Sequence, residues 1–245
     1  MKRFHLAYLS FLILCMFLTI DTNAQLTTIY TPPGSHFVDG NSSFDGSPGY
    51  GFQQVFPAEW FSDLPKGGGV IKQVIFRSDS SIFGQRDWAG NVTGVEIGVS
   101  TIQKTSASLS PIFAQNLGGD RTLLSKTTDI FLLSNLPGGT GNASEFSLSF
   151  GSNKDGFFYD PSAGNLLLDI RGLGFPFALD AYTSAENVSV TFSSIDHSFS
   201  QGKLLQKGLV VLFAFYPVPE PTRVGLFALG VISLAIARKR RTSQL

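Results

Sequence analysis

The stretch 208–216, "GLVVLFAFY", is apolar at almost every position and decides the fold class of the chain. Its residues are mainly β-branched, aromatic and aliphatic, which favours a strand. Neighbouring side chains of a strand point to opposite faces, so a strand that is apolar throughout is buried on both faces. We therefore predict that this segment is a central strand of a sheet.

Five further runs are also typical of strands, and glycine- and proline-rich turns separate them. Their sequences are "VIKQVIFR" (70–77), "VTGVEIGVST" (92–101), "EFSLSF" (145–150), "NLLLDIR" (165–171) and "NVSVTF" (187–192). In the run 145–150, Phe146, Leu148 and Phe150 alternate with serines, which predicts one buried and one wet face. The turns between the runs include "LPKGGG", "NLPGGTGN" and "DPSAGN".

The spacing of these runs predicts an all-β fold over residues 25–216, an antiparallel β-sandwich that is jelly-roll-like. No segment in this range has a sustained apolar period of 3.6 residues. Nineteen of the 23 phenylalanines lie here, and their buried area can replace disulfides. The one cysteine, Cys15, lies in the leader described next.

The first residues, "MKRFHLAYLSFLILCMFLTIDTNAQ", have the pattern of a signal peptide. Lys2 and Arg3 precede an apolar run, and Thr22 and Ala24 are small residues at the positions that signal peptidase reads. We predict that residues 1–24 are a signal peptide and that signal peptidase cuts between Ala24 and Gln25. An uncleaved anchor helix would need about 20 apolar residues and no cleavage box.

The charge of the part between leader and tail argues against nucleic acid as a partner. Eleven basic and 16 acidic residues remain over 25–216, a net charge of −5. Binding to phosphate backbones requires cations that displace counterions, and this segment has no basic stripe.

No catalytic pattern stands out, so we expect a protein that is not an enzyme and has no cofactor. Asp196, His197 and Ser198 are sequence neighbours and would point to opposite faces of an extended chain, which prevents a proton relay. Glu96, Glu145 and Glu186 have no carboxylate partner at the spacing that would place both on one strand face.

One segment could bind a metal ion, "DGNSSFDG" at 39–46. Asp39, Asn41 and Asp45 could supply oxygen ligands to Ca²⁺, although the twelfth position of an EF-hand loop would be Tyr50 instead of glutamate. The alternative interpretation is a turn rich in Asp and Asn.

The C-terminal segment 217–245 has three parts whose order is informative. Pro219, Glu220 and Pro221 form an extended triplet, because proline fits neither a regular helix nor a central strand. The apolar run 224–237 would form a helix of only ~21 Å, shorter than the ~30 Å hydrocarbon core of a bilayer. A basic cluster follows (Arg238, Lys239, Arg240 and Arg241), which predicts that this end stays cytoplasmic and the domain lies outside.

This tail, "VPEPTRVGLFALGVISLAIARKRR", resembles the PEP-CTERM sorting signal, which has also been catalogued as an ice-binding-protein C-terminal segment. The resemblance implies recognition by an exosortase, transient insertion in the inner membrane through the short helix, and delivery to the cell envelope or an exopolysaccharide matrix. Two internal stretches, "FYDPSAGNLLLDIRG" and "IFAQNLGGDRTLL", resemble segments of many PEP-CTERM cargo domains and imply no particular activity.

Three functional hypotheses follow. The first is a non-enzymatic exported protein that binds glycan, such as exopolysaccharide, or matrix protein. Tyr50, Phe52, Trp60 and Trp88 could stack on sugars, with burial in the core as the alternative for each. The second is a secreted carbohydrate-active hydrolase whose carboxylates converge only in three dimensions. The third is an ice-binding protein, which would need a flat array of threonines.

Overall fold

The computed structural model confirms the all-β prediction. Every strand pairing among the described residues is antiparallel, and no α-helix occurs in them. The predicted signal peptide 1–24 and the residues beyond Pro217 lie outside the described part. The structure describes residues 26–45, 50–79, 88–92, 94–126, 130–134, 148–151, 156–173, 178–183, 191–194 and 202–217.

Sixteen strands alternate with loops and short 3₁₀ turns in this part of the chain. Their bounds are β1 Thr27–Thr31, β2 Ser42–Asp45, β3 Tyr50–Phe56, β4 Gly69–Phe76, β5 Trp88–Val92, β6 Glu96–Ile102, β7 Thr122–Lys126, β8 Ile130–Ser134, β9 Leu148–Gly151, β10 Phe157–Tyr159, β11 Asn165–Leu173, β12 Ala178–Tyr182, β13 Thr191–Ser194, β14 Lys203–Leu205, β15 Gly208–Leu209 and β16 Val211–Pro217.

Two larger sheets contain most of the strands. The first sheet has the order β1-β16-β4, and β9 and β10 pair one after the other with the remaining edge of β4. The second sheet has the order β14-β13-β3-β11-β6-β7, and two small sheets contain β15-β12-β2 and β5-β8. Because β16 pairs with β1 on one side and β4 on the other, the prediction of a central strand is confirmed from Val211 onward. The prediction is wrong for the start of the run 208–216, because Gly208–Leu209 form the separate strand β15 in a small sheet.

Side chains from both larger sheets share one hydrophobic core. Phe213 of β16 and Phe56 of β3 show this directly: their ring centroids lie 5.0 Å apart with an edge-to-face angle of 85°. Aromatic pairs favour this geometry, and both rings are fully buried. In β9, Leu148 and Phe150 point into the same core, as the alternation in the sequence predicts.

A β-bulge in β4 changes which residues face the core. Gln73 lies opposite Ala214, but Ile71 lies opposite Phe215, so β4 contains one extra residue, Lys72. Ile71 and Val74 are therefore both fully buried although they are three positions apart. Lys72 and Gln73 both remain accessible to solvent.

The second sheet is covered on its other face by the loop 103–121. Leu109 and Phe113 of this loop pack against Val55, Ile102 and Leu167 of the strands.

A buried polar network lies beside this small cluster. The Gln53 side chain donates to Asp169 and to the carbonyl of Phe113, and the Asp169 carboxylate accepts from Arg121 at 2.7 Å. The Arg121 guanidinium lies over Gly98, where an added Cβ would be 2.9 Å from its Nη2 atom. The loop is thus attached to the sheet by both apolar and ionic contacts.

The prediction of one strand over 92–101 is wrong. β5 ends at Val92 and β6 begins at Glu96, and Gly94 between them has a φ of +68°, a turn conformation that favours glycine. The run 187–192 corresponds to β13, whose described residues begin only at Thr191.

The side chain of Gln54 links β3 of the second sheet to β15 of a small sheet. Gln54 lies on β3 between Phe52 and Phe56, both of which are in the core. Its side-chain amide donates to the carbonyl oxygen of Leu209 at 3.1 Å and accepts from the N–H of Leu209 at 2.8 Å. The side-chain amide of Gln54 therefore forms with Leu209 the two hydrogen bonds that the backbone of a neighbouring strand would otherwise form.

Gln54→Leu is expected to lower the free energy of unfolding by about 1–3 kcal/mol, because it leaves two buried backbone groups of Leu209 unpaired. Urea unfolding followed by circular dichroism measures the change. Gln73→Leu, at an exposed position of β4, is the matched control and should change stability by less than about 0.5 kcal/mol. Equal effects of the two substitutions would contradict the role of Gln54.

Candidate functional site

Three residues of the first sheet form an exposed row on the side that faces away from the core. Tyr216 of β16 lies opposite Val70 of β4, and Val70 lies opposite Phe158 of β10. The residues next to them in sequence, Phe215, Phe157 and Tyr159, are buried in the core, so these three point outward. Tyr216 is 42% exposed and Phe158 is 52% exposed. We call Tyr216, Val70 and Phe158 the aromatic row.

Polar groups border the aromatic row. The bulge in β4 directs Lys72 to the same side, where its Nζ atom lies 5.8 Å from the centroid of the Tyr216 ring, within cation–π range. Gln73 on β4 and Thr28 on β1 are also exposed, on the two strands that flank β16. The outer side thus combines exposed aromatic rings with the ammonium group of Lys72 and neutral hydrogen-bonding groups.

A second group of rings lies on the same outer side. Tyr30 of β1 faces outward because its neighbours Ile29 and Thr31 are buried. His36 stacks on Tyr30 with ring centroids 3.9 Å apart and an angle of 23°, and Phe37 lies 3.9 Å from His36. Phe37 is 81% exposed. We call Tyr30, His36 and Phe37 the aromatic stack.

A buried arginine holds the loop that carries this stack. Arg77 is fully buried, and its Nε atom forms an ion pair of 2.5 Å with Asp180. Its other nitrogens donate to three backbone carbonyls, those of Ser35 at 2.9 Å, His36 at 3.3 Å, and Val38. The planar fork of the guanidinium suits several fixed acceptors at once, so the loop backbone is held at three points.

Asp180 holds the same loop from its other end. Its Oδ1 atom accepts from the N–H of Gly40 at 2.9 Å. A Cβ at Gly40 would overlap with Asp180 and with the carbonyl of Ala181, so only glycine allows this approach. Tyr182 adds a hydrogen bond of 3.3 Å to the carbonyl of Val38.

Burial raises the pKa of Asp180 to about 7, because loss of solvation outweighs the favourable charge of Arg77. Asp39 and Asp79 raise the pKa further by repulsion. The Arg77–Asp180 pair is inaccessible to a substrate, so its role is to position the loop.

The candidate metal ligands lie in or next to this loop. The Asn41 side chain is engaged with Thr183: its Oδ1 atom accepts from the N–H at 2.7 Å and its Nδ2 atom donates to the carbonyl at 2.8 Å. The backbone carbonyl of Asp39 accepts from Tyr182. Asp45 ends β2, and its side chain lies outside the description. Within the described ranges no group of three or more His, Cys, Asp or Glu residues could hold a metal ion.

Of the residues that the sequence suggested for sugar stacking, the structure describes the side chains of Phe52 and Trp60, and neither is an exposed ring. Phe52 is fully buried, and Trp60 is partly buried and packs against Phe56. The side chains of Tyr50 and Trp88 lie outside the description.

Among the side chains that the structure describes, the exposed phenylalanine and tyrosine rings are Phe37, Phe158 and Tyr216, which sequence reasoning did not select. The alternation within "FFY" at 157–159 is a signal that could have identified Phe158.

The predicted processing residues flank the described part of the chain. Ala24 and Gln25 precede it, and Pro219, Glu220, Pro221 and the cluster 238–241 follow it. Thr27 lies opposite Phe215, so the chain enters β1 and leaves β16 at the same end of the first sheet. In the part that the structure describes, no helix has the length and apolar character to cross a membrane.

Comparison with protein-family models, curated proteins and solved structures finds no match to this chain.

The pKa of Asp180 predicts a pH-dependent stability. The folded state keeps this proton up to about pH 7, whereas the unfolded chain loses it near its ordinary pKa of ~3.9. The free energy of unfolding should therefore decrease as the pH rises between these values, by at most about 1.4 kcal/mol per pH unit, and level off above. Urea unfolding at several pH values measures the slope.

Asp180→Asn removes the titrating group and is the comparison for this experiment. The variant should lose most of the decrease between about pH 5 and pH 7. A wild-type slope that persists unchanged in Asp180→Asn would show that another group titrates.

Proposed function

We propose that this chain is an exported, non-enzymatic protein of the cell envelope or exopolysaccharide matrix that binds glycan through the aromatic row. The observation that carries the proposal is the alignment of Tyr216, Val70 and Phe158 across three strands, with two rings exposed. Single exposed apolar residues are common on protein surfaces, but a contiguous patch marks an interaction site.

The chemistry of this surface favours a sugar ligand. Aromatic ring faces stack on the C–H faces of pyranose rings. The sugar hydroxyl groups point outward from the pyranose edge, so they remain free for hydrogen bonds. Lys72 beside Tyr216, with Gln73 and Thr28 nearby, provides donors and acceptors for those hydroxyl groups. An apolar peptide partner would not use this density of polar groups.

We further propose that the two larger sheets form a jelly-roll-like β-sandwich. The shared core supports this arrangement, because Phe56 and Phe213 come from different sheets and contact each other. A sandwich exposes the outer side of each sheet. The loop 103–121 covers part of the second sheet, and the aromatic row lies on the first.

The alternatives receive less support from the described residues. A hydrolase needs two accessible carboxylates at a suitable separation. Asp169 and Asp180 do not meet this need, because both are buried and paired with arginines. An ice-binding surface needs a threonine array, and in the described strands no register pair joins two threonines.

The position of the chain ends supports sorting through the tail. Because β1 begins and β16 ends side by side, the signal peptide and the tail can both reach one membrane from the same end of the domain. The Pro-Glu-Pro triplet begins two residues after Pro217, so a processing enzyme acts close to the folded sheet. Signal peptidase and an exosortase-type enzyme are the expected partners.

Tyr216→Ala and Phe158→Ala are each expected to weaken glycan binding about 3- to 10-fold, because each removes one stacking ring. The protein is purified in its processed form from an exporting host. Affinity electrophoresis through gels that contain hydroxyethyl cellulose, laminarin, glycol chitin, xanthan or alginate measures binding.

Leu204→Ala serves as the matched control, since Leu204 is similarly exposed but lies on β14 of the second sheet. It should leave migration in every gel unchanged. Failure of the wild-type protein to bind any polymer, or equal binding by the Tyr216 and Phe158 variants, would refute the glycan-binding proposal.

Replacement of Pro219, Glu220 and Pro221 by alanine is expected to abolish tail processing. In a host that has an exosortase, intact mass should show a wild-type species that lacks residues 1–24 and the residues after Pro221, located outside the inner membrane. The variant should keep its tail and remain in the inner membrane.

Alanine replacements at Thr242, Ser243 and Gln244 are the control for this experiment, because they lie beyond the basic cluster. Their processing should match that of the wild type. A wild-type tail that stays intact with and without exosortase would mean that the apolar run is a permanent anchor.

A further inference from the structure

The aromatic row and the aromatic stack lie on one continuous outer side of the first sheet. Tyr30 lies opposite Leu212, and Tyr216 lies four residues further along β16. At ~3.4 Å per residue the two groups of rings are separated by roughly 14 Å along the strand direction. Thr28 and Gln73 lie at the register positions between them, opposite Ala214.

The exposed residues at the register positions between the two groups are polar. Ala214 is buried at the centre and contributes no bulky side chain, whereas Thr28 and Gln73 are exposed on either side of it. An extended ligand that joins the two ring groups would therefore contact Thr28 and Gln73, because Ala214 and Leu212 of β16 are buried beneath their neighbours. A short ligand would reach only one group.

The aromatic stack lies at the end of the sheet opposite to the chain ends. β1 runs from Thr27 toward the loop, and β16 runs from the loop end to Pro217. A chain held at a membrane by its tail would therefore present Phe37 away from that membrane. The segment 32–41 also has no lysine or arginine, so the stack has no charge that would attract anionic lipid.

The loop is already ordered for binding. Arg77 holds three of its carbonyls, and Asp180 holds the N–H of Gly40. The His36 ring lies between the rings of Tyr30 and Phe37, so the exposed Phe37 ring packs against His36 on one side. A ring fixed before binding loses little conformational entropy when a ligand stacks on it.

We infer that the aromatic stack is a second contact region for the same glycan chain, and that the ligand is a linear polysaccharide long enough to reach both ring groups. The inference rests on the proposed glycan binding and adds the direction and the minimum length of the bound chain. The glycan runs along β16, from Tyr216 near the chain ends to Phe37 at the far end.

A ladder of oligosaccharides, from disaccharide to octasaccharide, tests this arrangement. It is prepared by partial hydrolysis of the polymer that retards the wild-type protein most, and calorimetry measures the affinity for each length. Wild-type affinity should rise with length until both groups are engaged. Phe37→Ala should reduce the affinity for the longest chains roughly 3- to 10-fold and leave that for the shortest unchanged.

Three comparisons make the result decisive. Tyr216→Ala should weaken binding at every length, Leu204→Ala at none, and Phe37→Tyr should retain the gain with length because it keeps the ring. Equal binding of Phe37→Ala and wild type at all lengths would overturn the second contact while a Tyr216 effect still upheld the proposed function. Loss of the Tyr216 effect would overturn both.

A vesicle-binding experiment tests the other partner that an exposed phenylalanine could have, which is a lipid membrane. Sedimentation with phosphatidylcholine vesicles should leave the wild-type protein in the supernatant. Binding to these vesicles that Phe37→Ala abolishes would identify the stack as a membrane-inserting tip and would overturn the inference.

Discussion

The pairing of β16 with β1 on one side and β4 on the other is the interaction on which the rest of the structure depends. β16 comes last in the described chain and β1 comes first, so the first sheet needs residues from both ends of the domain. One face of β16 contributes Phe213 and Phe215 to the core. Its other face carries Tyr216. The same strand therefore supplies two buried rings of the core, one residue of the aromatic row and the place where the tail begins.

Buried polar groups determine how loops are placed around this apolar framework. An unpaired buried charge or amide is costly, so each such group needs partners in fixed positions. Arg77 and Asp180 meet this need by binding the backbone of the loop at Ser35–Gly40, and Gln54 meets it through Leu209. These contacts hold the aromatic stack and connect β15 to β3. The polar interior is thus responsible for the geometry of the surface that we propose as functional.

The proposed binding surface depends on two local irregularities that sequence patterns describe poorly. The bulge at Lys72 breaks the two-residue period of β4 and brings a cation next to Tyr216. The loop after β1 returns His36 and Phe37 onto Tyr30 because Arg77, some 40 positions away in sequence, binds its carbonyls. The rings that the sequence suggested for sugar stacking included Phe52, which is a core residue.

The sequence by itself determined the all-β class, the central position of β16 and the buried positions in β9, because period-two alternation and continuous apolar runs depend only on which face of a strand is dry. It also carries the signals from which export and tail processing are predicted. The sequence did not identify β3, because the adjacent glutamines at 53 and 54 interrupt the apolar pattern of a buried strand. In the structure both glutamine side chains are buried and hydrogen-bonded. Only the tertiary structure decided which rings are exposed and how they align. Exposure and cross-strand register depend on partners that are distant in the chain, and the local sequence contains no information about those partners.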